Sequence, residues 1–204
     1  MTIRHLSRRA ALLGAVASLS GCSALSALSG SRTALDTFDL APASGTVTGS
    51  RSSRTLVVAR PEAPAAIATD RILVRPDPRS VTYLPGARWS DDVPLLLQSL
   101  LIRSVAGTGR IGYVGQVENG PLAERVLLAR IDAFQIEADP ARNLIARVDM
   151  ELFLLNDVDQ TLIASRRVAG SAPAASDSAP AVVAAIQAVM DELLPAIADW
   201  VVRS

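Results

Sequence analysis

The side chains able to do covalent chemistry are few. A chain of 204 residues holds a single cysteine, Cys22, and a single histidine, His5. Cys22 directly follows Leu19-Ser20-Gly21. Before that lie Arg4, Arg8 and Arg9 and an apolar run from Ala10 to Leu19. A positive stretch, a short apolar run and small residues are the layout of a cleavable secretory signal. The run is too short to cross a bilayer, which takes about 20 apolar residues. Removing the leader also removes His5, so residues 22–204 carry no histidine. No Ser-His-Asp triad, Cys-His pair or His/Cys zinc site can then be built, and the commonest general base is missing. The composition argues against an enzyme, and no metal or cofactor is expected. Asp91-Asp92 is the one adjacent carboxylate pair in a promising place. Neighbouring helix residues point in different directions, so the pair reads as helix capping rather than acid–base machinery.

The cysteine has a better use. Leu-Ser-Gly-Cys resembles the lipobox of bacterial lipoproteins. The resemblance implies that the sulfur of Cys22 takes a diacylglyceryl group and that the chain is cut just before it. Each buried acyl methylene adds about 0.8 kcal/mol of membrane affinity, and two or more chains hold stably where one does not. Ser7-Arg8-Arg9 has a trace of a twin-arginine export signal, but Ala10 and Ala11 follow, so the general secretion route is preferred. The expected organisation is a signal peptide over 1–21, a lipidated N-terminus and flexible tether over 22–35, and one domain over 36–204.

Net charge is zero, and every basic residue is arginine. No basic stripe invites nucleic acid, so no nucleic-acid partner is expected. Short apolar runs predict strands at Thr37–Leu40, Thr55–Ala59, Arg71–Arg75 and Val81–Leu84, with Pro85-Gly86 as a turn. Ser90 reads as the N-cap of a helix whose stripe is Val93, Leu96, Leu97, Leu100 and Leu101, ended by Gly107 and Gly109. A short strand from Arg110 to Val117 precedes a turn at Asn119-Gly120-Pro121. Arg125–Glu137 is a long strand whose alternation slips, predicting a bulge near Asp132 or Ala133. Leu144–Leu154 alternates cleanly, and Thr161–Val168 returns as its hairpin partner. Gly170–Ser178 reads as a small-residue loop. A final helix spans Ala179–Val202, with Pro195 expected to kink it. After the leader, no hydrophobic stretch stands out as long enough to span a bilayer. The expected fold is α/β in the α+β sense. It is a two-layer sandwich, one mostly antiparallel sheet with both main helices packed on its dry face.

Tyr83-Leu84-Pro85-Gly86-Ala87-Arg88-Trp89-Ser90-Asp91-Asp92, followed by Leu96-Leu97-Gln98-Ser99-Leu100, resembles the ABC-type transport auxiliary lipoprotein family, which includes the PqiC-type lipoproteins. Phe38-Asp39-Leu40-Ala41-Pro42 is similar to the family's opening segment. The resemblance implies a non-enzymatic, periplasm-facing lipoprotein beside an inner-membrane ABC transporter. Its partners would be a permease, an ATPase and a substrate-binding MCE protein, and its cargo a phospholipid or sterol-like lipid. By the enterobacterial sorting rule, Ser23 after the acylated cysteine favours the outer membrane over the inner. Two readings stand for the signature segment. Trp89 could staple back onto the helix, with Arg88 merely solvated. Alternatively Tyr83, Arg88 and Trp89 could sit at an exposed rim and bind a partner, since aromatic residues and arginine are enriched in interface hot spots. Two readings also stand for the whole: a docking accessory, itself a candidate ring-forming homo-oligomer, or a periplasmic carrier holding a lipid tail.

Overall fold

The computed structural model describes residues 35–116 and 120–204. Their order is β1 (Asp36–Phe38), β2 (Thr55–Val58), β3 (Arg71–Arg75), β4 (Thr82–Trp89), α1 (Val93–Gly107), β5 (Tyr113–Gly115), β6 (Arg125–Ala138), β7 (Leu144–Asn156), β8 (Leu162–Pro173) and α2 (Ala179–Arg203). One sheet holds all eight of these strands. Its spine is the long antiparallel meander β6–β7–β8. The other side of β6 is shared. β2 pairs with its N-terminal end and β3 with its C-terminal end, both parallel. β5 then adds to β2, and β4 and β1 add beyond β3. The α+β class is as expected. The sheet is mixed, with its long pairings antiparallel and four short pairings parallel.

Alternation explains the meander. Leu127, Ala129 and Ile131 face inward from β6, and Ala146, Val148, Met150, Leu152 and Leu154 from β7. On β6 the inward parity then changes to Phe134 and Ile136, with the register shift falling between Ile131 and Ala133. One extra residue, Asp132, flips the faces and keeps both halves of the strand apolar inside. The stripes of α1 and α2 close over this face: Leu97, Leu100, Leu101, Ile186, Met190, Leu194 and Ile197 are all buried.

Three expectations change. The helix N-cap is Asp92, whose Oδ1 accepts the Leu95 N–H at 3.1 Å. Ser90 is still held by β1, donating its N–H to the Phe38 carbonyl at 2.7 Å, so the helix starts later. Pro85-Gly86 does not end a strand. β4 runs through it as a wide bulge, since Leu73 pairs with Tyr83 while Arg71 pairs with Arg88. Gly86 takes φ +72°, the left-handed region where glycine has no steric penalty. Last, β8 continues to Pro173 through the stretch that reads as a loop. A methyl on Gly170 would lie 2.9 Å from Val189 Cγ1 of α2. The small residues there admit a helix, not a turn.

α2 spans 25 residues and its most apolar 18-residue stretch has mean hydropathy 1.7, long and apolar enough to cross a membrane by those measures, a fourth departure from the sequence expectation. Its apolar stripe is instead covered by the sheet and α1. The helix continues through Pro195 to Arg203.

Candidate functional site

The signature segment lies on β4 between β1 and β3. Thr37 on one side and Arg71 on the other are the register partners of Arg88. Arg88 Nε donates to Thr37 Oγ1 at 3.1 Å, and its Nη1 lies 3.6 Å from Asp70 Oδ2. The side chain remains 47% exposed, so Arg88 sits on a rim. Trp89 does not. It is 1% exposed and meets Phe134 of β6, with ring centroids 5.7 Å apart and planes tilted by 59°. This corrects both readings of Trp89. It is not a surface contact, and with the N-cap at Asp92 it is also off the staple position directly before the cap. It belongs to the central core, because alternation along β4 sends Arg88 out and Trp89 in. Tyr83 is half-buried. Its hydroxyl donates to the Ala66 carbonyl at 3.3 Å, and the Arg71 guanidinium lies 5.8 Å from its ring centre. Cys22, Ser23 and Asn119 lie outside the described residues.

A second polar surface lies on the sheet face opposite the helices. Asp149 is flanked by Arg167 and Arg147. Arg167 grips it through two bonds, Nε to Oδ1 at 2.9 Å and Nη2 to Oδ2 at 2.7 Å. These bonds hold the Asp149 carboxyl below its ordinary value, against the opposing effect of burial. Arg130 bridges Asp132 and Glu151 in the same way. Beside this lattice is a hollow of about 370 Å³ lined by Arg75, Asp77, Gln135, Glu137 and Arg147. A more apolar hollow of about 320 Å³ opens between β3–β4 and the start of α2, lined by Val74, Tyr83, Leu84, Leu144 and Val182. Among the described residues, no three His, Cys, Asp or Glu side chains come together as metal ligands. These carboxylates are engaged by arginines and backbone, an arrangement that holds structure and offers surfaces.

Residues 37–198 match the family model described as ABC-type transport auxiliary lipoprotein component. The chain belongs to this family. The matched region opens at β1 and closes inside α2, so it takes in the signature segment, the meander and both helices. No curated protein matches. Two solved structures share the fold of this auxiliary lipoprotein. One is a Xanthomonas campestris protein of the DUF330 family, 23% identical, covering 82% of this chain and 95% of its own, with TM-score 0.75. The other is an uncharacterized protein, 15% identical, covering 82% and 98%, with TM-score 0.64.

Two features of the auxiliary lipoprotein escape sequence reading. Asp199, inside the apolar stripe of α2, accepts the Val47 N–H at 2.9 Å and the Thr46 hydroxyl at 3.1 Å. Burial raises its pKa, but these bonds and the Arg203 charge outweigh that and leave it below its ordinary value. It fastens the segment between β1 and β2 across the helix, helped by Gln187, which accepts from the Ala41 N–H at 2.8 Å. Gln98 is the second. It is buried on α1 and donates to the Val58 carbonyl at 2.9 Å. A single aspartate or glutamine in an apolar stripe is the only signal the sequence offers for either.

Proposed function

We propose that this chain is a non-catalytic subunit of an MCE/ABC-type lipid transport system. It faces the periplasm, is anchored through acylated Cys22 to the outer membrane, and docks the inner-membrane complex to that membrane. The observation that carries the reading is the family match over residues 37–198. The absence of histidine after residue 5 and the engagement of the buried carboxylates with arginine and backbone support a role without chemistry. Arg88 is the docking residue we assign, because it is exposed on the strand that pairs with β1, where the tether ends. The domain boundaries follow the same reading, with the tether ending where β1 begins. The test is co-purification of permease, ATPase and MCE protein with the tagged full chain. Recovery of all three is expected, and Arg88→Ala should reduce it. A chain that brings down none of them has another role.

The carrier reading draws on one observation, the apolar hollow beside Tyr83. At about 320 Å³ it is at the lower end of small-molecule sites. Native mass spectrometry of the purified chain decides here. A co-purified lipid would favour the carrier, and a bare mass the accessory.

A further inference from the structure

The longest unpaired feature among the described strands is the edge of β8. This strand is 12 residues long and, among the described residues, pairs with β7 alone. Its outer backbone N–H and C=O groups form a template for another strand. Such edges bind extended segments by main-chain hydrogen bonds, with side-chain rows giving the selectivity.

The rows can be read. Across β6, β7 and β8 the face opposite the helices runs Val126–Leu155–Leu162, then Leu128–Phe153–Ser165, then Arg130–Glu151–Arg167. The first row is apolar and ends at the edge in Leu162, which is 58% exposed. The third alternates positive, negative, positive and ends in Arg167, whose side chain is 66% exposed. Arg167 directs Nε and Nη2 to Asp149, and its Nη1 has no hydrogen-bond partner among the described residues. Arg166 points to the other face and makes no hydrogen bond or ion pair among the described residues. The edge therefore carries one cation on each face and no acid anywhere from Leu162 to Pro173. Beyond the arginines, Ala169, Gly170, Ser171 and Ala172 are small, so an approaching backbone meets no bulky side chain.

We infer that the free edge of β8 takes an extended acidic segment of a partner protein, added to the sheet as a ninth strand. The charge row calls for an acidic residue beside Arg166 or Arg167, and the apolar row for an apolar side chain beside Leu162. Like charges directly opposite each other destabilise a strand pair. The same arginines thus oppose pairing of β8 with the β8 of a second copy. Such an edge site goes beyond the transport role and does not depend on which transporter the chain serves.

The experiment is hydrogen exchange on the full chain in detergent with two synthetic peptides. Both alternate valine and threonine. One carries two adjacent glutamates near its centre and the other two lysines. The glutamate peptide should slow exchange of the outward amides of β8 by at least about tenfold, with no such effect from the lysine peptide. Arg166→Glu removes no hydrogen bond or ion pair of the fold and, with Arg167 still in place, should abolish the preference. Its fold is checked by its melting temperature. Equal protection by both peptides, protection by neither, or protection that rises with protein concentration in the absence of peptide would each overturn the proposal. The last would show that a second copy covers the edge.

Discussion

Arg88 and Trp89 are adjacent in the chain and opposite in what they do. Trp89 and Phe134 fill the centre of the core. Trp89→Ala should cost about 3–5 kcal/mol, the range for removing a large buried aromatic. Arg88 is half-exposed with one hydrogen bond and one long ion pair, so Arg88→Ala should cost no more than about 1 kcal/mol. Chemical denaturation of the two variants measures both. An Arg88→Ala variant that is stable yet fails to co-purify with the transporter separates docking from folding. Acid should unfold the domain through its gripped carboxylates. Arg167 holds Asp149 below its ordinary 3.8, and the Val47 and Thr46 bonds hold Asp199 below the same value despite burial. A carboxyl with a depressed folded-state pKa contributes fully above its unfolded value. That contribution is lost as pH falls through the folded one. The urea midpoint should therefore be flat above about pH 5 and drop below about pH 4. Asp149→Asn should be less stable at neutral pH and show a shallower acid drop. An unchanged pH profile would mean the Arg167 grip does not stabilise the fold.

At the scale of elements, Gly170 decides between two readings of one sequence. Were Gly170–Ser178 a loop, Gly170→Ala would stabilise by about 0.4–1 kcal/mol by reducing the freedom of the unfolded chain. In β8 the new methyl would press on Val189 Cγ1, so the change should destabilise by about 1–3 kcal/mol instead. Val189→Ala should return much of that loss, and the double-mutant cycle measures the coupling. Some of the fold is legible along the chain and some is hidden. Clean alternation in Leu144–Leu154 and the slip beside Asp132 give β7 and the bulge in β6, because both are local patterns of parity. The helix stripes are legible for the same reason. Gly170 to Pro173 looks like a loop because small residues serve turns and close packing alike, and only the position of α2 tells them apart. Pro85-Gly86 misleads similarly, since a bulge and a turn need the same left-handed glycine. Of the signature residues, the outward direction of Arg88 and the inward direction of Trp89 follow from parity once β4 is known to extend past Gly86. A strand taken to end at Leu84 hides it.

On the proposed function, the molecule as a whole divides its work between a point of attachment and a surface. β1 is where the chain enters the fold, and it is stitched to β4 by register and by the Arg88–Thr37 bond. The described core, the charge lattice and the free edge of β8 are all formed by residues that follow β1 in the chain. From Cys22 to Ala34 the chain reaches at most roughly 45 Å when extended, so β1 of an anchored chain must lie about that close to the bilayer or closer. Attachment and recognition should then be separable. Exported behind a leader that is cleaved without acylation, Cys22→Ser should leave the melting temperature unchanged and move the protein from the membrane to the soluble periplasmic fraction. If the proposed docking role holds, its purified form should still bind the transporter in detergent, while transport in the cell fails for want of the link between the two membranes. Ser23→Asp offers the complementary change, keeping the acyl chains and shifting the protein toward the inner membrane. If Cys22→Ser still sedimented with membranes in a strain without the transporter, something other than the acyl chains would hold the protein there. α2, long and apolar as it is, would then be the first element to examine.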